Sequence, residues 1–324
     1  MWSRSSPPPR RLMPKISVVG AGNVGASAAL YAAEKELGDV TLIDIVEGVA
    51  KGKALDLLEA GPVQGYDSFV EGSGDIKAVA GSDLIIVTAG LARKPGMSRL
   101  DLLKANAEII RGVAQAIRDH APKAFVIMVT NPLDVMTYLM YKITGFPRER
   151  VMGMAGVLDS ARFRAFLAME AGVSVEDIQA MVLGGHGDTM VPLLSCSTIS
   201  GIPITNFIKK ERLAEIVQRT RDGGAEIVKL LQTGSAFYAP ASSAVQMAES
   251  ILRDKKRLLP CCAYLNGEYG FKEIYLGVPC ILGAKGIEKI VEVPLSAEEK
   301  VALANSAEEV RKGIADLSVE TVAK

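Results

Sequence analysis

The chain has 324 residues, 49% of them apolar, with lysine plus arginine and aspartate plus glutamate balanced at 37 each. That apolar content fills one large core or two of ordinary size, and the balanced charge gives no basic field to hold nucleic acid or an anionic membrane. No apolar run approaches the roughly 20 residues that a membrane helix needs, which excludes spanning and leaves small molecules or further copies of the chain as partners.

The first twelve residues, MWSRSSPPPRRL, carry arginines, serines and a proline run but no acid. They predict a disordered leader over 1–12; the composition also matches a fragment of a transit peptide, although its prolines oppose the amphipathic helix of such a signal. From Lys15 the pattern alternates. KISVVG reads as a buried strand, Asn23 to Leu37 as a helix, VTLID as a strand and Val46 to Glu59 as a helix. DLIIVTAG is again a strand, Leu100 to Asp119 a helix and AFVIMVTNP a strand. Nearly all-apolar strands between amphipathic helices predict a parallel sheet covered on both faces, an α/β fold of the doubly wound Rossmann type. Past residue 150 the texture changes: helices at 158–170, 209–231, 241–254 and 296–316, a strand near 178–183, and a glycine-bounded strand pair at 260–282. The division predicted is a dinucleotide-binding domain over 13–150 and an α+β substrate domain over 151–324.

The stretch VVGAGNVG places Gly20, Gly22 and Gly25 after the first strand and at the mouth of a helix. The first glycine permits the tight turn, the second lets a pyrophosphate approach the backbone, and the third lets the helix pack closely. Asp44 ends the second strand, nineteen residues after Gly25. An acid there accepts hydrogen bonds from a ribose diol and repels a 2′-phosphate, which predicts NAD over NADP.

Three further stretches put polar residues at strand ends or on following loops. TAGLARKPGMSRLDL carries Arg93 and Arg99 around a Pro-Gly pair, a composition suited to a loop that moves. VTNPL sets Asn131 before a proline at a helix start. GVLDSARF sets Asp159 and Arg162 three apart, on one helix face. A fourth stretch, VLGGHGDTMV, holds His186, one of two histidines in the chain. An apolar run ending in Gly-Gly delivers that imidazole to a sheet rim, where it reads either as a proton donor or as a half-buried histidine in a tight turn. The other histidine, His120, reads as a helix C-cap at the surface. The four cysteines, 196, 261, 262 and 280, show no metal-ligand spacing; they fit reduced packing residues in the cytoplasm, with no metal and no disulfide.

Taken together and in order, GAGNVG, TAG with its arginine loop, VTNP, LDSARF and GGHGD resemble the lactate/malate dehydrogenase family, in its lactate-dehydrogenase-like malate branch. The resemblance runs from Met13 onward and leaves only the leader without a counterpart. It implies His186 as acid/base, Asp159 as its orienting partner, Arg162 on the substrate's C1 carboxylate and Arg99 polarising the reacting carbonyl. Asn131 would bond that carbonyl oxygen, and Asn106 would touch the cofactor. The other cofactor contacts implied are Gly20, Gly22, Asn23, Val24, Gly25, Asp44, Thr88, Gly90, Val129 and Asn131. The third residue after TAG faces the variable group of the substrate in this family; here it is Arg93, the malate choice, and Ala236 in TGSAFYAP leaves room for the extra carboxylate. The resemblance thus implies malate and oxaloacetate as substrates, NAD as cofactor, a place in the tricarboxylic acid cycle and a homodimer or homotetramer. L-lactate dehydrogenase is the alternative within the class, and a non-catalytic NAD-binding protein the alternative outside it.

Overall fold

The structure, a computed structural model, describes residues 13–91 and 98–321. The leader and Arg93 therefore lie outside the described residues, and of Arg99 only the backbone is described. In chain order the first half holds β1 (Lys15–Val19), α1 (Asn23–Glu34), β2 (Asp39–Ile43), α2 (Glu47–Gln64), β3 (Val70–Ser73), β4 (Leu84–Val87), α3 (Arg99–His120), β5 (Phe125–Met128), α4 (Leu133–Thr144) and β6 (Val151–Gly153). The second half opens with α5 (Gly156–Ala171) and the short strands β7 (Ile178–Gln179), β8 (Val182–Leu183), β9 (Val191–Pro192), β10 (Thr198–Ile199) and β11 (Ile202–Pro203). It closes with α6 (Lys210–Leu231), α7 (Tyr238–Leu252), β12 (Arg257–Asn266), β13 (Lys272–Gly283), β14 (Gly286–Ile290) and α8 (Ala297–Thr321).

Six parallel strands run in the order β6-β5-β4-β1-β2-β3, the doubly wound arrangement. Their continuous apolar runs split by period two into separate cores. Ile16, Val18, Leu84, Ile86 and Ile127 join the alanines of α1 and the apolar face of α7. Ile85, Val87, Val126 and Met128 join Ile110, Ala114 and Ile117 of α3 and Met136 and Met140 of α4. A fully buried side chain of this size contributes about 1.5–3 kcal/mol on leaving water, so neither face of these strands tolerates a polar residue without a partner.

The strand pair of the second half extends this same sheet. β12 pairs antiparallel with β6 through Cys262 and Gly153, giving nine strands from β14 to β3. Gly153 makes the junction, since a Cβ there would stand 2.8 Å from the Cβ of Cys262. A second seam joins α1 to α7, where the buried Glu249 pairs with Lys35 at 3.3 Å.

Several element boundaries differ from expectation. The single strand expected near 178–183 is two, because Ile178–Gln179 pairs with β10 while Val182–Leu183 pairs with β9 in another sheet. The helix expected to stop at Glu59 runs to Gln64 and closes on Gly65 at φ +84°, a conformation glycine adopts without penalty. His120 is the last residue of α3, with Ala121 in the capping position.

Candidate active site

The glycine turn is built by contact. A Cβ on Gly25 would lie 1.8 Å from the carbonyl oxygen of Gly20, and one on Gly20 would lie 2.6 Å from Oγ1 of Thr88, so α1 packs directly on the turn. Thr88 donates that hydroxyl to the Gly20 carbonyl at 3.0 Å. Gly22 differs: no atom lies within 4 Å of a Cβ built on it. It caps an exposed helix start at Asn23 and Val24, whose amide groups and dipole favour an anion. Asp44, at the end of β2, accepts the Ala21 amide at 2.7 Å and the Val46 amide at 2.9 Å, one on each oxygen. Each oxygen keeps a lone pair for a diol. The open position at Gly22, the free helix start and this carboxylate fit a dinucleotide.

The loop after β4 meets the loop after β5 through one amide side chain. Asn106, fully buried on α3, accepts the Leu91 amide at 2.7 Å and donates to the carbonyl oxygens of Leu91 at 3.2 Å and Asn131 at 2.6 Å. Through these bonds it fixes Leu91 and Asn131, whose own side chain is exposed. Gly90 allows the crossing, since a Cβ there would press to 2.5 Å on Thr130. Val129, half-buried, continues β5 with its amide bonded to Val87.

His186 follows β8. Gly184 bridges to Gly277 of β13, so close that a Cβ on Gly277 would meet the Gly184 carbonyl oxygen at 2.3 Å, and this anchors the loop on the main sheet. The Nδ1 atom of His186 lies 2.9 Å from Oδ2 of Asp159, in the first turn of α5 and 2% exposed. A carboxylate at Nδ1 holds the proton there and leaves Nε2 as the ring nitrogen for a substrate. Burial works against the charged imidazolium, but the charge of Asp159 and its hydrogen bond outweigh it, with help from Asp134, and hold His186 above the ordinary histidine value.

One helical turn on, Arg162 places Nη1 3.4 Å from the other oxygen of Asp159. Its side chain is 13% exposed and its Nε is buried without a partner, so the guanidinium is underused by the protein. Burial lowers its pKa, and Asp159 opposes that. The room it occupies comes from Gly223 and Gly224 on α6: a Cβ on Gly223 would stand 3.1 Å from its Cδ. Ala236 is half-buried just before α7. The structure thus brings together His186, Asp159 and Arg162, and separately links Thr88 with the glycine turn and Asn106 with Asn131.

Residues unforeseen in the sequence support the loop. Asp134, in the first turn of α4, accepts the amide of His186 at 2.8 Å. Ser306 of α8, fully buried, accepts the amide of Gly185 at 2.9 Å and shares a hydroxyl contact with Thr189 at 3.1 Å. An acid in a first helical turn reads as ordinary dipole complementation, and Ser306 has no local signal. Among the described residues no group of three His, Cys, Asp or Glu stands where it could hold a metal ion, and no helix is long and apolar enough to cross a membrane.

Comparison with known proteins covers both halves. Residues 14–153 match the lactate/malate dehydrogenase NAD-binding domain and residues 156–321 the alpha/beta C-terminal domain of the same family. A malate dehydrogenase from Roseiflexus sp. (strain RS-1) is 60% identical over 306 residues, 94% of this chain and 99% of that protein. The crystal structure of Cryptosporidium parvum malate dehydrogenase superposes with a TM-score of 0.93 at 46% identity, over 95% of this chain and all of that one. A lactate dehydrogenase from the same organism, solved with lactic acid and nicotinamide adenine dinucleotide, gives 0.92 at 43% identity, over 94% and 98% of the two chains.

Proposed function

Because the chain belongs to the lactate/malate dehydrogenase family, we propose that it interconverts malate and oxaloacetate with NAD. The observation that carries the reading is the imidazole of His186 held on Asp159 beside the half-committed guanidinium of Arg162. NAD, when bound at the glycine turn, supplies or takes up the hydride.

The chain's own residues do the rest. As a hydride reaches the keto carbon of oxaloacetate, charge builds on the carbonyl oxygen, and His186 gives it a proton from Nε2. Asp159 retains the Nδ1 proton and stabilises the imidazolium before transfer. Arg162 grips the C1 carboxylate with two parallel donors, an arrangement lysine lacks. Arg99 polarises the carbonyl, Asn131 bonds the same oxygen, Arg93 pairs the second carboxylate, and Ala236 leaves it room. Gly20, Gly22, Asn23, Val24, Gly25 and Asp44 hold the pyrophosphate and ribose, with Thr88, Gly90, Asn106 and Val129 shaping the far side. The substrate domain of this reading spans 151–324 and the cofactor domain 13–150.

Exposed apolar side chains, including Leu55 and Val63 of α2, Leu230 of α6 and Tyr238 of α7, support a further copy of the chain as partner, in a dimer or tetramer. Free cysteines, three of them buried, support a reducing, cytoplasmic setting. The test is an absorbance assay of NADH with oxaloacetate on purified protein, repeated with His186→Asn. Turnover in the parent and a loss of about 10²-fold or more in the variant support the reading, the low end for a positioned acid/base; no turnover of oxaloacetate overturns it.

A further inference from the structure

The carboxylate of Asp134 is buried between two donors that the reaction does not use. Its Oδ2 accepts the main-chain amide of His186 at 2.8 Å, and its Oδ1 accepts the thiol of Cys262 at 3.1 Å. Both partners are donors by nature, an amide entirely and a thiol mainly, and they favour the ionised carboxylate against burial, the larger effect, which raises its pKa. Asp134 is 5% exposed and Cys262 fully buried. A charge held so deep is costly unless its oxygens are satisfied, and a core leucine at this position in α4 would have avoided the cost.

The placement gives a reason for it. Asp134 is three residues from Asn131, on the helix that begins at Leu133, and it grips the loop of His186 across 52 residues of sequence. We propose that Asp134 is a positioning residue for proton transfer: a buried acid, bonded by Cys262, that ties the main chain of His186 to the helix starting beside Asn131. The group that moves the proton and the group that bonds the carbonyl oxygen are then held at a set separation by one side chain. Gly185 lets the loop lie close on α8, since a Cβ there would come to 2.8 Å from Cγ2 of Val310.

The carboxylate has a second effect, because its bond to the His186 amide brings it close enough to act on the imidazole. The charged and titratable groups that face His186 are Asp159 and Arg162 from α5 and Asp134 from α4. α8 contributes the neutral hydroxyl of Ser306 to the neighbouring amide, and β12 and β13 contribute Cys262 and, beyond it, Tyr275. Asp159 and Asp134 act in the same direction on the ring and Arg162 against them. Asp134 thus adds to Asp159 without touching the ring.

This inference rests on the reading of His186 as the acid/base, and its test is read without substrate or cofactor. The chain has two histidines, so the ring signals of full-length protein can be followed by NMR against pH and assigned with His120→Gln. Asp134→Asn keeps an oxygen for the His186 amide and removes the charge; Asp134→Ala removes both. The expected results are a His186 titration moved to lower pH in Asp134→Asn, and in Asp134→Ala a kcat for oxaloacetate reduction lowered by about tenfold or more, with KM for NADH little changed. If Asp134→Ala does not fold, Cys262→Ala, which strips one donor from the carboxylate, is expected to move the titration the same way and by less. An Asp134→Asn protein whose His186 titrates as in the parent and which keeps the parent kcat overturns the proposal. Failure of the acid/base reading looks different: His186→Asn would keep its turnover while the dependence of the His186 titration on Asp134 remained.

Discussion

Asp159 divides its two carboxylate oxygens between His186, 2.9 Å from Oδ2, and Arg162, 3.4 Å from Oδ1, so one buried acid holds both the proton carrier and the anion clamp. The two cations meet it from one side of the chemistry each. Losing that acid leaves an imidazole without its orienting partner and a guanidinium buried with nothing opposite.

The first consequence is a pH dependence with opposite sign in the two directions. His186 titrates above the ordinary imidazole value, so reduction of oxaloacetate, which needs the imidazolium, is expected to fall as pH rises through that raised value. Oxidation of malate needs the neutral ring and falls as pH drops through it. The ion pair with Asp159 also stabilises the fold: its contribution is fully present below the unfolded histidine value and is lost as pH rises through the folded one. Asp159→Asn is expected to move both kinetic limbs to lower pH and to cost about 10²-fold or more in reduction at neutral pH. Parallel pH profiles of kcat/KM check it; limbs that stay in place mean that Asp159 does not govern His186.

A second prediction separates two glycines that look alike in sequence. Gly22→Ala meets open space and is expected to fold with an unchanged Tm while weakening NADH binding, because the added methyl stands where the pyrophosphate approaches. Gly25→Ala meets the Gly20 carbonyl oxygen at 1.8 Å and is expected to lower Tm before binding is considered. Thermal melts and NADH titrations of both variants decide. With Asp44 accepting the diol, NADH is expected to exceed NADPH by about tenfold or more in kcat/KM in the parent.

Which parts of this were readable in advance follows from range. The turn GAGNVG and the pair Asp159 and Arg162 are local, the first a strand-turn-helix of a few residues and the second one helical turn, so spacing alone places them. The apolar run before His186 is likewise local, and it forms β8, with Gly184 and Gly185 following it. The groups that hold the loop of His186 are not: Asp134 lies 52 residues before it, and Ser306 lies 121 residues after Gly185. Nor did the pattern of β12 and β13 tell that they continue the first sheet, because the join rests on one residue pair, Cys262 and Gly153. The split between β7 and β8 was hidden for a similar reason, since both halves are apolar and only their partners differ. The bonds of Asn106 to the backbone of Leu91 and Asn131 were hidden in the same way, since they span 15 and 25 residues.

A third prediction uses the room around Arg162. Glycine inside a helix costs about 0.5–1 kcal/mol against alanine, so both Gly223→Ala and Gly224→Ala gain that much from the backbone. At Gly224 the nearest guanidinium nitrogens would be 3.9 Å from the new methyl, an ordinary contact, and Tm is expected to rise with kinetics unchanged. At Gly223 the methyl would press to 3.1 Å on the Arg162 stem and displace the clamp. Its KM for oxaloacetate is expected to rise by about tenfold, one lost charge-assisted bond, with KM for NADH unchanged. Equal kinetics in the two variants would contradict that displacement of Arg162.

The central claim is that the site reads a dicarboxylate, and the measurement that tests it most directly is the ratio of kcat/KM for oxaloacetate over pyruvate, taken with NADH in the parent and in Arg93→Gln. Pyruvate offers a methyl group where oxaloacetate offers a second carboxylate, and a charge kept from water without its counterion costs roughly 3–5 kcal/mol. The parent ratio is therefore expected to be about 10³ or more, and Arg93→Gln to lower oxaloacetate kcat/KM by about 10²-fold or more while raising that of pyruvate. A parent that prefers pyruvate, or a ratio that Arg93→Gln leaves unchanged, contradicts the account.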